Sequence, residues 1–82
     1  METNTKKTFI VRYFFVKESD PNEADSITLE VPADNKSNAL DISDPGRIID
    51  GTLKVHPSVK NQLIKNMQAG SFLNWTANEK SL

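Results

Sequence analysis

The run TFIVRYFFVK, residues 8–17, limits the folds open to this chain because it is apolar on both sides when extended. Alternate residues of a β-strand point to opposite faces of the sheet. One face would carry Phe9, Val11, Tyr13 and Phe15, and the other Ile10, Arg12, Phe14 and Val16. A strand of this kind is expected at the centre of a sheet or covered on both sides, since an uncovered face would expose a hydrophobic patch.

The length of the chain allows one small domain, residues 1–82. A domain of this size buries only about 60% of the surface that its unfolded chain exposes. There is no cysteine, so neither disulfides nor a thiolate metal site can supplement the core.

We expect mobile polar tails at about residues 1–6 and 78–82. No apolar run approaches the roughly 18 residues of a membrane span, so we expect a cytoplasmic protein with no membrane contact.

A second strand is predicted by the alternation in SITLEV, where Ile27, Leu29 and Val31 share one face. The acidic segment ESDPNEADS, Glu18 to Ser26, contains a proline and is typical of an exposed connection. The two strands therefore predict a long-looped antiparallel hairpin over residues 8–31.

The middle of the chain gives weaker signals. The segment near 35–42 supports at most a short helix of about two turns, with Asp34 or Asn35 as its cap. The tripeptide Asp44-Pro45-Gly46 is typical of a tight turn. A short strand is then predicted near 52–55, and another near 71–76.

The clearest helix signal covers about residues 57–69, with Pro57 in the first turn and Gly70 as the cap that ends it. Its apolar stripe, which we expect to pack on the core, consists of Val59, Leu63, Ile64 and Met67. The combined pattern predicts an α+β fold: a small, mainly antiparallel sheet with this helix packed on one face.

The residues that could support catalysis are few. The only histidine, His56, precedes Pro57 at a helix start, and no cysteine or patterned serine accompanies it. The three glycines are scattered among turns and caps, so no phosphate-binding loop is present. We therefore predict a protein that is not an enzyme and has no catalytic residues, cofactor or metal.

Two binding hypotheses remain, and protein binding is the first. Acidic residues at Glu18, Asp20, Glu23 and Asp25 would attract a basic partner, with Phe14 and Trp75 as apolar anchors. A partner protein or a second copy in a homodimer could also cover the second apolar face of the first strand. In general character, though through no motif, the chain resembles the small accessory proteins of phages and mobile elements. We expect a regulator or inhibitor of a host protein, of the anti-defence type.

Nucleic-acid binding is the alternative. Residues 1–45 contain five basic and nine acidic side chains, whereas residues 46–82 contain five basic and two acidic ones. The second half could present a basic face made of Arg47, Lys54, Lys60 and Lys65. The overall charge of −1 disfavours this hypothesis, because phosphate neutralisation dominates the affinity of nucleic-acid-binding proteins.

Overall fold

The computed structural model describes residues 6–17 and 19–80. In chain order its elements are β1 (Lys7–Val16), β2 (Ala24–Ala33), α1 (Lys36–Ile42), α2 (Pro45–Ile49), α3 (Pro57–Gln68) and β3 (Phe72–Glu79). The predicted α+β class, the hairpin, the short helix near 35–42 and the main helix are confirmed. Within these described ranges, no helix combines the length and the apolar character that a membrane crossing requires.

The three strands form one antiparallel sheet in the order β2-β1-β3. The doubly apolar strand β1 lies at the centre, as its pattern predicts, and Tyr13 stands between Ile27 of β2 and Trp75 of β3. Strand β2 begins at Ala24, so Asp25 and Ser26, which we expected in the connecting loop, belong to the strand.

One face of this sheet packs against the helices. The fully buried side chains of β1 are all odd-numbered, and they meet one buried apolar side chain from each helix. This core consists of Phe9, Val11, Tyr13, Phe15, Val31, Ala33, Ala39, Ile48, Leu63 and Ala77. Helix α1 contacts all three strands, so it runs across the sheet beneath them.

The strand predicted near 52–55 is wrong. Residues 50–53 form a turn and residues 54–56 an irregular segment, while helix α2 occupies Pro45–Ile49. The Asp44 side chain accepts a hydrogen bond from the Gly46 N–H at 2.8 Å, and Pro45 fills the first helical position. The Asp-Pro-Gly signal thus starts a helix, because aspartate and proline suit a helix N-terminus as well as a turn.

Helix α3 agrees with its predicted bounds, but its apolar stripe is only partly used by the core. His56 caps its N-terminus, and Gly70 follows its end with φ of +74°. Leu63 is buried and Val59 packs against the core. Met67 is 40% exposed, so the expectation that the whole stripe is covered is wrong.

Strand β3 is longer than predicted. It continues to Glu79, so residues 78 and 79 belong to the sheet and not to a C-terminal tail. The register shifts between Phe14 and Phe15, which leaves Leu73 as the extra residue of a β-bulge. Of the other tail, residues 1–5 lie outside the described residues.

Candidate functional site

The sheet surface that faces away from the helices is the main candidate site, and we call it the open face. It carries the even-numbered side chains of β1, including Ile10, Arg12 and Phe14. Ile10 and Phe14 are half-buried between the neighbouring strands, but neither belongs to the core or to the side chains packed against it. The second apolar face of β1 is therefore without a covering layer from the described helices.

Polar side chains surround this apolar centre. Arg12 is exposed between Ile10 and Phe14, and its Nε donates to Thr28 Oγ1 at 3.4 Å. At one end of the face, Lys80 Nζ lies 3.0 Å from Glu30 Oε2. The exposed polar residues of the two outer strands on this face are Ser26, Thr28, Glu30, Asn74 and Asn78.

Sequence reasoning missed the C-terminal end of β3, which completes this rim. The sequence prediction ends this strand near residue 76 and places residues 78 and 79 in a polar tail. The signal was nevertheless present. Trp75 and Ala77 alternate with Asn74, Thr76 and Asn78, which is the pattern of a strand with one covered face and one wet face.

The acidic residues do not form one patch with Phe14. Glu23 pairs with Lys17 at 3.7 Å, and an Asp20 oxygen accepts the Asn22 N–H at 3.0 Å. Asp25 pairs in register with buried Phe15, so it lies on the helix side of the sheet and not on the open face. The remaining predicted acid, Glu18, lies outside the described residues.

Asp25 instead helps to line a cleft of about 530 Å³ between the hairpin end and α3. The other residues lining it are Phe15, Val16, Lys17, Ser19, Gln62 and Asn66. The cleft contains one carboxylate, one ammonium group and two amides, and it is open to solvent. This composition is typical of a wet surface groove and gives no arrangement for acid–base catalysis.

Phe14 and Trp75, the two predicted anchors, lie on opposite faces of the sheet. Trp75 is the register partner of Tyr13 and shares the helix side with it. Its indole N–H donates to the Leu40 carbonyl at 3.1 Å, and its ring lies 6.2 Å from that of Phe72. Trp75 therefore connects α1 to the sheet, and one flat partner surface could not contact both aromatic residues.

The four predicted basic residues are divided between two regions. Lys54 and Lys60 line one cleft of about 450 Å³, whereas Lys65 lines another of about 570 Å³ near Gly70. Arg47 is already paired with Asp41, through a 2.8 Å bond to its carbonyl and a 3.3 Å contact with its carboxylate.

An acidic residue also lies among these basic side chains. Hydrogen bonds from the side chain and backbone of Thr52 lower the pKa of Asp50, and the nearby charges of Arg47 and Lys60 act in the same direction. The Asp50 carboxylate therefore stays ionised and offsets part of their positive charge. The basic second half of the sequence does not become one continuous basic face.

His56 has a structural contact in this fold. Its Nδ1 accepts the Ser58 N–H at 3.1 Å and lies 2.8 Å from Ser58 Oγ. Sequence reasoning overlooked this serine, which stands two positions further along the chain. The ring is exposed and its Nδ1 caps helix α3, so the pair is accounted for by helix capping.

Comparisons with protein families, curated proteins and solved structures each found no match to this chain.

Proposed function

We propose that this chain is a non-enzymatic protein-binding module and that the open face is its contact surface. The observation that supports this most directly is the pair Ile10 and Phe14, which lie at the centre of the sheet without packing on the core. We assign to the module the regulation or inhibition of the protein that it binds.

The layout of the open face supports the proposal because it matches the usual anatomy of a protein interface. Such interfaces have an apolar centre in which aromatic residues and arginine are enriched, and a polar rim that remains hydrated. Here Phe14, Ile10 and Arg12 occupy the central strand, and hydroxyl and amide side chains occupy the two outer strands. A partner that covers the centre would remove apolar surface from water, which is the main driving force of association.

The charges on this face favour protein over nucleic acid. Arg12 is one cation on the central strand, and Lys80 is already paired with Glu30. Binding a phosphate backbone requires several cations in a row, each of which displaces counterions. The basic set outside the face stays as the alternative site, with Lys54 and Lys60 as the pair that shares a cleft.

A capture experiment tests the assignment. The full chain is immobilised, exposed to nuclease-treated lysate of its source organism, and the bound proteins are quantified by mass spectrometry. The open-face variant I10T/F14T replaces two apolar side chains with β-branched polar ones that keep the strand propensity. We expect one protein to bind the native chain stoichiometrically and to be lost from I10T/F14T.

Three controls separate the possible sites. M67Q removes an exposed apolar side chain from helix α3, away from the open face, and should leave capture unchanged. D20N/E23Q/D25N tests the acidic residues, and K54E/K60E/K65E tests the basic ones. If I10T/F14T captures the partner as well as the native chain does, the open face is not the site. In a parallel capture from lysate without nuclease, if only nucleic acid is bound and K54E/K60E/K65E abolishes that binding, the alternative function replaces the proposal.

A further inference from the structure

Strand β2 is one outer edge of the sheet, and half of its backbone groups point away from β1. The Lys17 N–H donates to the Glu23 carbonyl at 3.0 Å. In the register of the hairpin, this bond means that the odd-numbered residues of β2 are the ones whose backbone groups bond to β1. Because hydrogen-bonded and outward-facing residues alternate along an edge strand, the even-numbered residues of β2 face outward. The Ser26 N–H is consistent with this, because it donates to the Asp25 carboxylate at 2.9 Å and not to β1.

The outward row is long and accessible. Its members, all exposed, are Ala24, Ser26, Thr28, Glu30 and Pro32. The register with β1 runs without a shift from Lys7 to Val16, so β2 has no bulge along its ten residues. An edge of this kind is a template for another strand.

We propose that β2 pairs antiparallel with β2 of a second copy of this chain, around a two-fold axis at Thr28. In this register Thr28 faces Thr28 of the second copy, Ser26 faces Glu30, and Ala24 faces Pro32. Each outward N–H meets an outward carbonyl, and Pro32, which has no N–H, occupies the last pair. The Asp25 carboxylate releases the Ser26 N–H, which then donates to the Glu30 carbonyl of the other copy.

The side chains are compatible with this register. On the helix side, the half-buried Ile27 of each copy faces Leu29 of the other copy, so two pairs of apolar side chains meet beside the axis. An axis at Glu30 would place two carboxylates directly opposite each other, which is destabilising. The axis at Thr28 avoids this repulsion and pairs two threonines.

The other edge is less suitable. Strand β3 has eight residues and a bulge at Leu73, and bulges are a common device for preventing edge pairing. Helix α1 crosses beneath all three strands, so it does not run along the β2 edge. Pairing through β2 would place both open faces on the same side of a six-stranded sheet. The proposal is independent of the proposed function, because the open face stays accessible in this dimer.

Sedimentation velocity over a range of protein concentrations tests the pairing. We expect the native chain to approach twice its monomer mass of 9.2 kDa at the highest concentrations. The variant T28P removes an outward N–H without breaking the hydrogen bonds between β2 and β1. The native Pro32 shows that an outward-facing position of β2 accepts proline. T28P should remain monomeric. Its matched control, E79P, removes an outward N–H from the β3 edge and should dimerise like the native chain.

A charge exchange at the axis tests the register and does not depend on the folding of T28P. T28K alone should be monomeric, because two ammonium groups would face each other across the axis. An equimolar mixture of T28K and T28E should form heterodimers, since opposite charges then meet. A native chain that stays monomeric at every concentration would overturn the proposal. A dimer that forms equally well in T28P or in T28K alone would overturn it too.

Discussion

The Tyr13 hydroxyl lies 2.7 Å from the carbonyl oxygen of Ser43 and donates a hydrogen bond to it. Tyr13 is at the centre of the middle strand, and Ser43 is the residue that ends helix α1. Both residues are fully buried, and the Ser43 hydroxyl in turn donates to the Ala39 carbonyl at 2.6 Å. This contact, together with the Trp75 bond to Leu40, fixes helix α1 beneath the sheet and leaves the opposite face open.

Replacing Tyr13 with phenylalanine should destabilise the protein while keeping its shape. The ring stays in the core, but the buried Ser43 carbonyl loses its hydrogen-bond donor, at a cost of about 1–3 kcal/mol. Urea unfolding, followed through the fluorescence of Trp75, the only tryptophan, measures the loss. The variant S43A keeps the carbonyl and is the control for the serine hydroxyl. An unchanged unfolding free energy in Y13F would mean that the contact contributes nothing to stability.

Tyr13 should also make the protein sensitive to high pH. Burial, helped by the nearby charge of Asp44, raises the pKa of Tyr13 from 10.0 to about 12. The folded state then keeps a proton that the unfolded state releases, so this stabilisation is complete below pH 10 and decreases as the pH rises towards about 12.

Tyrosinate absorbance measures this pKa directly, because Tyr13 is the only tyrosine. The folded chain should titrate near 12 and the chain in concentrated denaturant near its ordinary value of 10.0. The Y13F variant should lack the corresponding part of the stability change between these pH values. A folded-state titration at the ordinary value would show that water reaches the phenol.

The two neighbouring phenylalanines of β1 should respond very differently to substitution. Phe15 is 2% exposed in the core, so F15A should lower the unfolding free energy by about 3–5 kcal/mol. Phe14 lies on the open face, where F14T removes less buried surface, and about 1–2 kcal/mol is expected. Thermal unfolding of both variants provides the comparison. Equal losses would indicate that the open face is covered in solution.

Gly70 should be hard to replace because its φ is +74°. An added Cβ would meet no neighbouring atom, so any loss in G70A comes from backbone strain alone. We expect G70A to be less stable by about 1 kcal/mol, and G70N to lose less because asparagine tolerates left-handed backbone better. The order of the two melting temperatures checks the argument, and a reversed order would contradict it.

The sequence by itself determined the elements whose pattern is local and strong. The doubly apolar run fixed β1 as the central strand, and the alternation around Ile27 and Leu29 fixed its hairpin partner. Pro57 and Gly70 fixed the ends of α3 within one residue, because both act through their own backbone geometry. The alternating spacing alone also predicted that Ile10 and Phe14 lie on a second apolar face of β1.

Only the tertiary structure decided which of two compatible local structures formed and which side chains came together. Asp44 and Pro45 suit a turn or a helix start equally well, and the burial of Ile48 in the core accompanies the helix. Phe14 and Trp75 were grouped by type, but the pairing of β3 with β1 placed them on opposite faces. Side-chain direction depends on strand register, and register is set by pairing between distant segments.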